Sequence, residues 1–555
     1  MDTGPAPHRV GHRTEGRDRV TKTPAKTPAT RTRRDEAATA TDATPTAAVT
    51  PADAAPARRA AAKRAPAKRA PAKRAPSRRV AATAPAVPPA RIIPHFTRDE
   101  RVARGRAERA EVSRRSHAAF DPVGFRRDPV EVLSEQDSTR VPELVPIKYG
   151  RMLVSAFTFF RGAAALMAMD LAGTPRTGLH AQLCGDAHLS NFGSFAAPDR
   201  RLTFSVNDFD ETLPGPFEWD LKRLVTSFAV AGRDLGLSPK QRETANLQAA
   251  ASYRAAMTEF AGQRSMDLWY ARMEVDDIRT RFAAQATKAE MKRYEANVAK
   301  ARTKDSLRAF DKLTTVVDGQ RRIVAQPPLI TPIGDLFTAD QADQLAEVIR
   351  STIDQYRSTL SPDRRHLLDR FRYVDAARKV VGVGSVGTRA WVVLMVGNDE
   401  TDPLILQLKE AEASVLEPYV GRSEFAHHGQ RVVEGQRLMQ SASDIMLGWH
   451  RIEGDDGITR DFYVRQLWDG KGSALVETMS ARALTSYADM CGWTLARAHA
   501  RSGDAVAIAS YLGNSSAFDK AMATFAEIYA DQNERDYAAL QAAVADGRLS
   551  ATTGL

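Results

Sequence analysis

Apolar positions follow two rhythms along this chain. In the helical rhythm, Leu484, Tyr487, Cys491, Leu495 and Ala498 fall on one stripe and predict a helix running on from Ser480. Ser238-Pro239-Lys240-Gln241 offers an N-cap, a proline at the first helical position and a capping-box glutamine. Thr338-Ala339-Asp340-Gln341 repeats the device before LAEVIRSTIDQYRSTL. Between them, 263–312 is polar and charged with helical character. Strand patterns cluster elsewhere. RKVVGVGSVGTRAWVVLMVG (378–397) reads as strand, glycine loop, strand, PLILQLKEA (403–411) as a third strand and DFYVRQLWD (461–469) as a fourth. A helix is expected within 423–442. The chain therefore predicts an α+β fold, β-rich in the middle of its second half.

The first 90 residues obey neither rhythm. They hold 13 prolines, much alanine and threonine, and no Phe, Trp or Tyr. Such a segment cannot bury enough apolar surface to offset its ordering entropy, so 1–92 is expected to be a disordered tail. It carries 19 Lys/Arg against 7 Asp/Glu, whereas 91–555 carry 60 against 61. The net charge of +11 thus belongs to the tail, which excludes reading the whole chain as a basic nucleic-acid binder. Within the tail KRAPA repeats at 63–67 and 68–72, with KRAPS at 73–77 and Arg78-Arg79 after it. These proline-spaced cation pairs resemble linker-histone tails. Residues 63–79 are accordingly expected to attract nucleic acid weakly, without sequence preference, through salt-sensitive counterion release. Two cysteines, Cys184 and Cys491, make no disulfide framework or zinc spacing. The N-terminus lacks an apolar signal region and no run of about 18 apolar residues occurs. A cytoplasmic protein without membrane partners is expected.

The densest chemistry lies in LCGDAHLSNFGSF (183–195) and FSVNDFDET (204–212). Asp186 sits in a short loop with Asn191 five residues on, and Asp208 ends a following strand. Phosphoryl transfer needs such a set: one carboxylate to orient an acceptor hydroxyl and take its proton, and an amide oxygen with a second carboxylate to hold Mg²⁺. Alone, Gly185-Asp186-Ala187-His188 would also suit a metallophosphoesterase, but the Gly-Asn-His-Asp block that chemistry requires is missing. The pattern resembles the protein-kinase-like superfamily, and aminoglycoside and choline kinases in particular. That resemblance implies Asp186 as catalytic residue and Asn191 and Asp208 as Mg²⁺ ligands. His188 and Asp210 are expected to be supporting residues, and the resemblance of PFEWDL (216–221) implies that Asp220 braces the catalytic loop.

A second constellation lies downstream. Gly382, Gly384 and Gly387 form a G-x-G-x-x-G with Ser385 inside it. A dinucleotide-binding loop would open a helix, but here WVVLMV continues as a strand. Strand, glycine loop, strand resembles the phosphate-covering hairpin of a kinase, and Lys409 on the next strand resembles its phosphate-pairing lysine. Glu434 is expected to pair with Lys409, with Glu424 or Glu412 as alternatives. Leu467-Trp468-Asp469-Gly470 is placed like the hinge that receives adenine.

The order is inverted, since the Asp186 loop precedes the glycine loop. CGWTLARAHARSG (491–503) resembles the helix that normally runs into the catalytic loop, which implies a circularly permuted, two-lobed kinase-like fold. With RMLVSAFTFFRGAAALMAMDL (151–171) ahead of GDAHLSNFG, the chain resembles the bacterial domain of unknown function 2252 family. The expected parts are a large helical lobe at 93–370, a small nucleotide-binding lobe at 371–475, and returning helices at 476–555. The expected activity is ATP- and Mg²⁺-dependent phosphoryl transfer to a small hydroxyl- or amine-bearing molecule. The alternatives are a nucleotide-binding pseudoenzyme and a DNA-associated protein acting through its tail.

Overall fold

The strand patterns of the second half assemble into one antiparallel sheet. Its order is Gly448–Glu453, Thr459–Gln466, Pro403–Ala411, Ala390–Val396, Arg372–Lys379 and Ile330–Pro332. In this computed structural model the described residues are 95–122, 126–283, 287–303, 306–336, 342–454, 456–467 and 469–555. The basic tail with its 63–79 repeats, the Thr338–Gln341 cap and Trp468 lie outside them.

Alternation gives the sheet two apolar faces. Val392, Leu394 and Ile405 pack with Phe310, Ile323 and Ile330. Met395, Leu404, Leu406, Leu408 and Phe462 meet Tyr356, Leu360 and Leu368 from the other side. Both coverings come from 306–368. Strand Ile330–Pro332 pairs with Arg372–Lys379, and burying both sheet faces recruits the preceding helices.

The helical body centres on Phe217–Asp234, whose residues 217–232 are all buried. Pro239–Gly262, Ala481–Ser502 and Ala517–Ala545 pack against it. Ser238 and Gln241 form the expected capping box at the start of Pro239–Gly262. Leu484, Tyr487, Cys491, Leu495 and Ala498 are buried, as their stripe requires. Beside these helices lies a hairpin, Phe192–Ala196 and Leu202–Val206, edged by Gly472–Ser473 and Met273–Glu274. Among the described residues no helix is long and apolar enough to cross a membrane.

Two buried histidines make stability sensitive to acid. The His450 ring stacks on Phe462 at 5.0 Å with neither nitrogen hydrogen-bonded, and burial pushes its pKa down to about 4. Burial carries His117, bonded through Nε2 to the Tyr511 hydroxyl at 2.7 Å, down to about 3. In the unfolded chain both take up protons near pH 6.5, so stability must fall as pH drops from 6.5 toward 4. His450→Phe removes an orphaned polar ring. It is expected to raise stability by roughly 1 kcal/mol at pH 7.5 and more at pH 4.5, measured by thermal denaturation at both values.

Candidate functional site

The Asp186 loop is held from below by one polar stripe on helix Phe217–Asp234. Asp220 accepts the amides of Cys184 at 2.7 Å and Gly185 at 3.0 Å. One turn on, Arg223 donates to Asp186 Oδ1 at 2.8 Å through Nε. After a further turn, Ser227 Oγ accepts the Leu189 amide at 2.9 Å. Residues three and four apart share a helix face, so this spacing aims all three at the same loop. Asp220 also meets His499 Nε2 at 3.2 Å, and His499 Nδ1 lies 2.9 Å from the Tyr253 hydroxyl. Gly185 has φ 82°, and a Cβ there would stand 2.2 Å from the Glu211 carbonyl. Only glycine fits that turn.

The hairpin register brings Asn191 and Asp208 together. Phe192 pairs with Val206, and the Asn207 amide donates to the Asn191 carbonyl at 2.8 Å. Asn191 immediately precedes one strand and Asp208 soon follows the other, so both emerge at the same end. Asn191 Nδ2 donates to the Asp186 carbonyl at 2.8 Å, turning its oxygen side away. His188 is buried, with Nε2 at 3.7 Å from Asp186 Oδ2, and burial holds the ring neutral.

Two adjoining chambers open around these residues. A cavity of about 390 Å³ is lined by Lys379, Lys409, Arg465, Gln436, Leu467 and Asp469. A second, of about 520 Å³, is lined by Asp186, Asn191, Asp210, Arg161 and Glu412. Asp208, Gly382 and Ser385 line both. The glycine loop therefore forms part of the wall between them.

Lys409 is paired differently from expectation. Its Nζ donates to Asp210 Oδ2 at 2.5 Å and stands 3.9 Å from Asp208 Oδ1. Tyr463, directly opposite Lys409 in the sheet, donates to Asp210 Oδ1 at 2.6 Å. Glu434 instead binds Arg437 at 2.9 Å, one turn along its own helix. Helix His428–Met439 buries Arg431, Val432, Gly435, Gln436 and Met439, which leaves Glu434 off the inward face. From that face Arg431 donates to the carbonyls of Asp210, Thr212 and Glu412.

The glycine loop rests on 139–151. Val386 is buried with Val141, Leu144 and Ile147, the Val141 amide donates to the Gly387 carbonyl at 2.8 Å, and Arg151 donates to the Gly382 carbonyl at 2.6 Å. Ser385 Oγ donates to Asp210 Oδ2 at 3.2 Å. Among the described residues, the amides of Val383, Gly384 and Ser385 have no acceptor. Successive unpaired amides form an anion-binding concavity.

Electrostatics divides the carboxylates by role. Burial raises Asp186 above the usual carboxylate range, against the pull of Arg223 and Arg161. Burial and the charge of Asp210 raise Asp208 as well. Burial opposes ionisation of Asp210 too, but Lys409 and the Tyr463 hydroxyl carry it below the usual range. Burial pushes Glu211 up to about 7. Among the described residues no three His, Cys, Asp or Glu side chains group as metal ligands. Asn191 and Asp208 supply two hard oxygen donors, and Asp208 is a carboxylate whose surroundings favour added positive charge. That fits Mg²⁺, which takes few protein ligands and completes its shell with phosphate and water.

A family model described as an uncharacterized protein conserved in bacteria (DUF2252) matches residues 140–543. The chain belongs to the DUF2252 family. No curated protein and no solved structure matches it. The matched span of this DUF2252 chain contains Asp186, Asn191, Asp208, Asp220, the glycine loop and Lys409. Arg223, Ser227, Tyr463 and Arg431 are the residues that sequence reasoning missed. The first two carry a signal, polar residues at helical spacing from Asp220, diluted by Glu218, Lys222 and Thr226 in the same helix. Tyr463 and Arg431 carry none, because Asp210, which both of them bind, lies more than 200 residues away.

Proposed function

We propose that this DUF2252 protein is an ATP- and Mg²⁺-dependent phosphotransferase for a small hydroxyl- or amine-bearing acceptor, built as a two-lobed, circularly permuted kinase-like fold. One observation carries the reading. Asp186, Asn191, Asp208, the glycine loop and Lys409 line two adjoining chambers that share Asp208, Gly382 and Ser385. The sheet-side chamber, with Lys379, Lys409 and Arg465, suits a nucleotide and its phosphates. The Asp186 chamber suits the acceptor.

For a hydroxyl acceptor, the acceptor oxygen bonds to the terminal phosphorus as the bond to the β–γ bridging oxygen breaks. The electron pair leaves with ADP, and the acceptor proton passes to Asp186. Arg223 fixes the orientation of Asp186, and its raised pKa suits it to take a proton. Lys409 and the unpaired amides of 383–385 hold phosphate oxygens. Asn191 and Asp208 would hold Mg²⁺, which would neutralise phosphate charge.

The test is nucleotide-dependent thermal stabilisation of the full chain. ATP with Mg²⁺ at about 100 times its Kd should stabilise the protein by about 2.7 kcal/mol. Lys409→Ala should lose most of that gain, whereas Glu434→Ala should keep it. Absence of any stabilisation by ATP or ADP rejects the proposal.

A further inference from the structure

We propose that Arg161 is an additional phosphate-binding residue, a guanidinium that holds the terminal phosphoryl group of the bound nucleotide beside Asp186. This inference rests on the nucleotide reading above. Arg161 lies in the last turn of helix Ala156–Gly162, whose start Ser155 and Thr158 fix with a capping box. It lines the same chamber as Asp186, Asn191 and Asp208.

What sets Arg161 apart is the lack of a partner. Its Nε is buried without a hydrogen-bond acceptor, and among the described residues its side chain makes no hydrogen bond or ion pair. The guanidinium carbon lies over the Phe157 ring, 6.0 Å from its centroid. The other arginines around these chambers are engaged. Arg223 holds Asp186, Arg140 donates to the Val386 carbonyl, Arg431 gathers three carbonyls, and Arg465 donates to Gln407 and the Asn207 carbonyl. The guanidinium lines the chamber without a hydrogen-bonded counter-ion, and an anion entering the chamber supplies one. Arg161 feels the charges of Asp186 and Glu477, but it forms an ion pair with neither, and Asp186 Oδ1 is already occupied by Arg223.

Position selects which anion. The Arg161 carbonyl lies 3.2 Å from where a Gly384 Cβ would stand, so its backbone abuts the loop whose amides are unpaired. Arg223, while holding Asp186, also donates to the Phe160 carbonyl at 2.6 Å, which ties the residue before Arg161 to the Asp186 loop. The Arg161 backbone is thereby tied to the glycine loop and to the Asp186 loop, and its side chain lines the chamber where the terminal phosphate must lie if Asp186 addresses the acceptor. A planar guanidinium suits phosphate oxygens by geometry as well as charge.

The experiment compares the full-length wild-type protein with Arg161→Gln and Arg161→Lys. Titration calorimetry is run with Mg²⁺ plus either ADP or the β,γ-imido analogue of ATP. Arg161→Gln should weaken the imido analogue by about tenfold or more while leaving ADP within about twofold, and Arg161→Lys should restore part of the loss. Equal weakening of both ligands assigns Arg161 a structural role and overturns the inference, as does no change in either. If the wild-type chain binds neither nucleotide, the nucleotide reading itself falls and this inference with it, an outcome distinct from a selective failure of the variant.

Discussion

Asp186→Ala is expected to lower ATP-dependent turnover by about 10²–10⁴-fold while leaving nucleotide affinity within about threefold of wild type. Asp186 lines the chamber on the far side of the glycine loop from Lys409, so its loss removes acceptor activation and spares the phosphate contacts. ADP release over a panel of candidate acceptors supplies the rate, and calorimetry with ADP supplies the affinity. The pH profile adds a signature. Burial raises the Asp186 pKa, so the activity of the ionised base should rise with pH through a limb above the usual carboxylate value. Asp186→Asn should abolish that limb. Wild-type protein that binds ATP but turns over no acceptor would identify a nucleotide-binding pseudoenzyme instead.

Asp220→Ala should cause the largest loss of stability of any single change near the site. The carboxylate is buried and serves the amides of Cys184 and Gly185 and the ring of His499. Truncation leaves these groups buried without their acceptor, at a cost of about 3–5 kcal/mol. Urea denaturation measures the loss directly. Turnover should fall as well, although Asp220 lines neither chamber, because the turn that carries Asp186 loses its anchor. Asp220→Asn keeps an acceptor oxygen and should retain part of both properties. A variant as stable as wild type would show that the loop holds its shape without Asp220.

The sequence by itself determined the features whose causes are local. Strand Pro403–Ala411 and the capping box at Ser238–Gln241 follow from pattern and end chemistry within a few residues. Asn191 and Asp208 were coupled in the sequence only through the kinase resemblance, and the hairpin register brings both to one end of its strands. Asp220 was legible as a candidate through the resemblance of PFEWDL (216–221) to the bracing motif of small-molecule kinases. Tertiary structure alone decided the partner of Lys409. The rotation of helix His428–Met439 about its axis is set by packing Arg431 and Gln436 inward, and that turned Glu434 toward Arg437 and left Asp210 to meet the lysine. Only the folded chain recruits 306–368 to cover the sheet, because burying a second apolar face is a demand no short window displays. The isolation of Arg161 is likewise a property of the assembled chamber. A side chain lacks a partner only with respect to neighbours that long-range folding supplies.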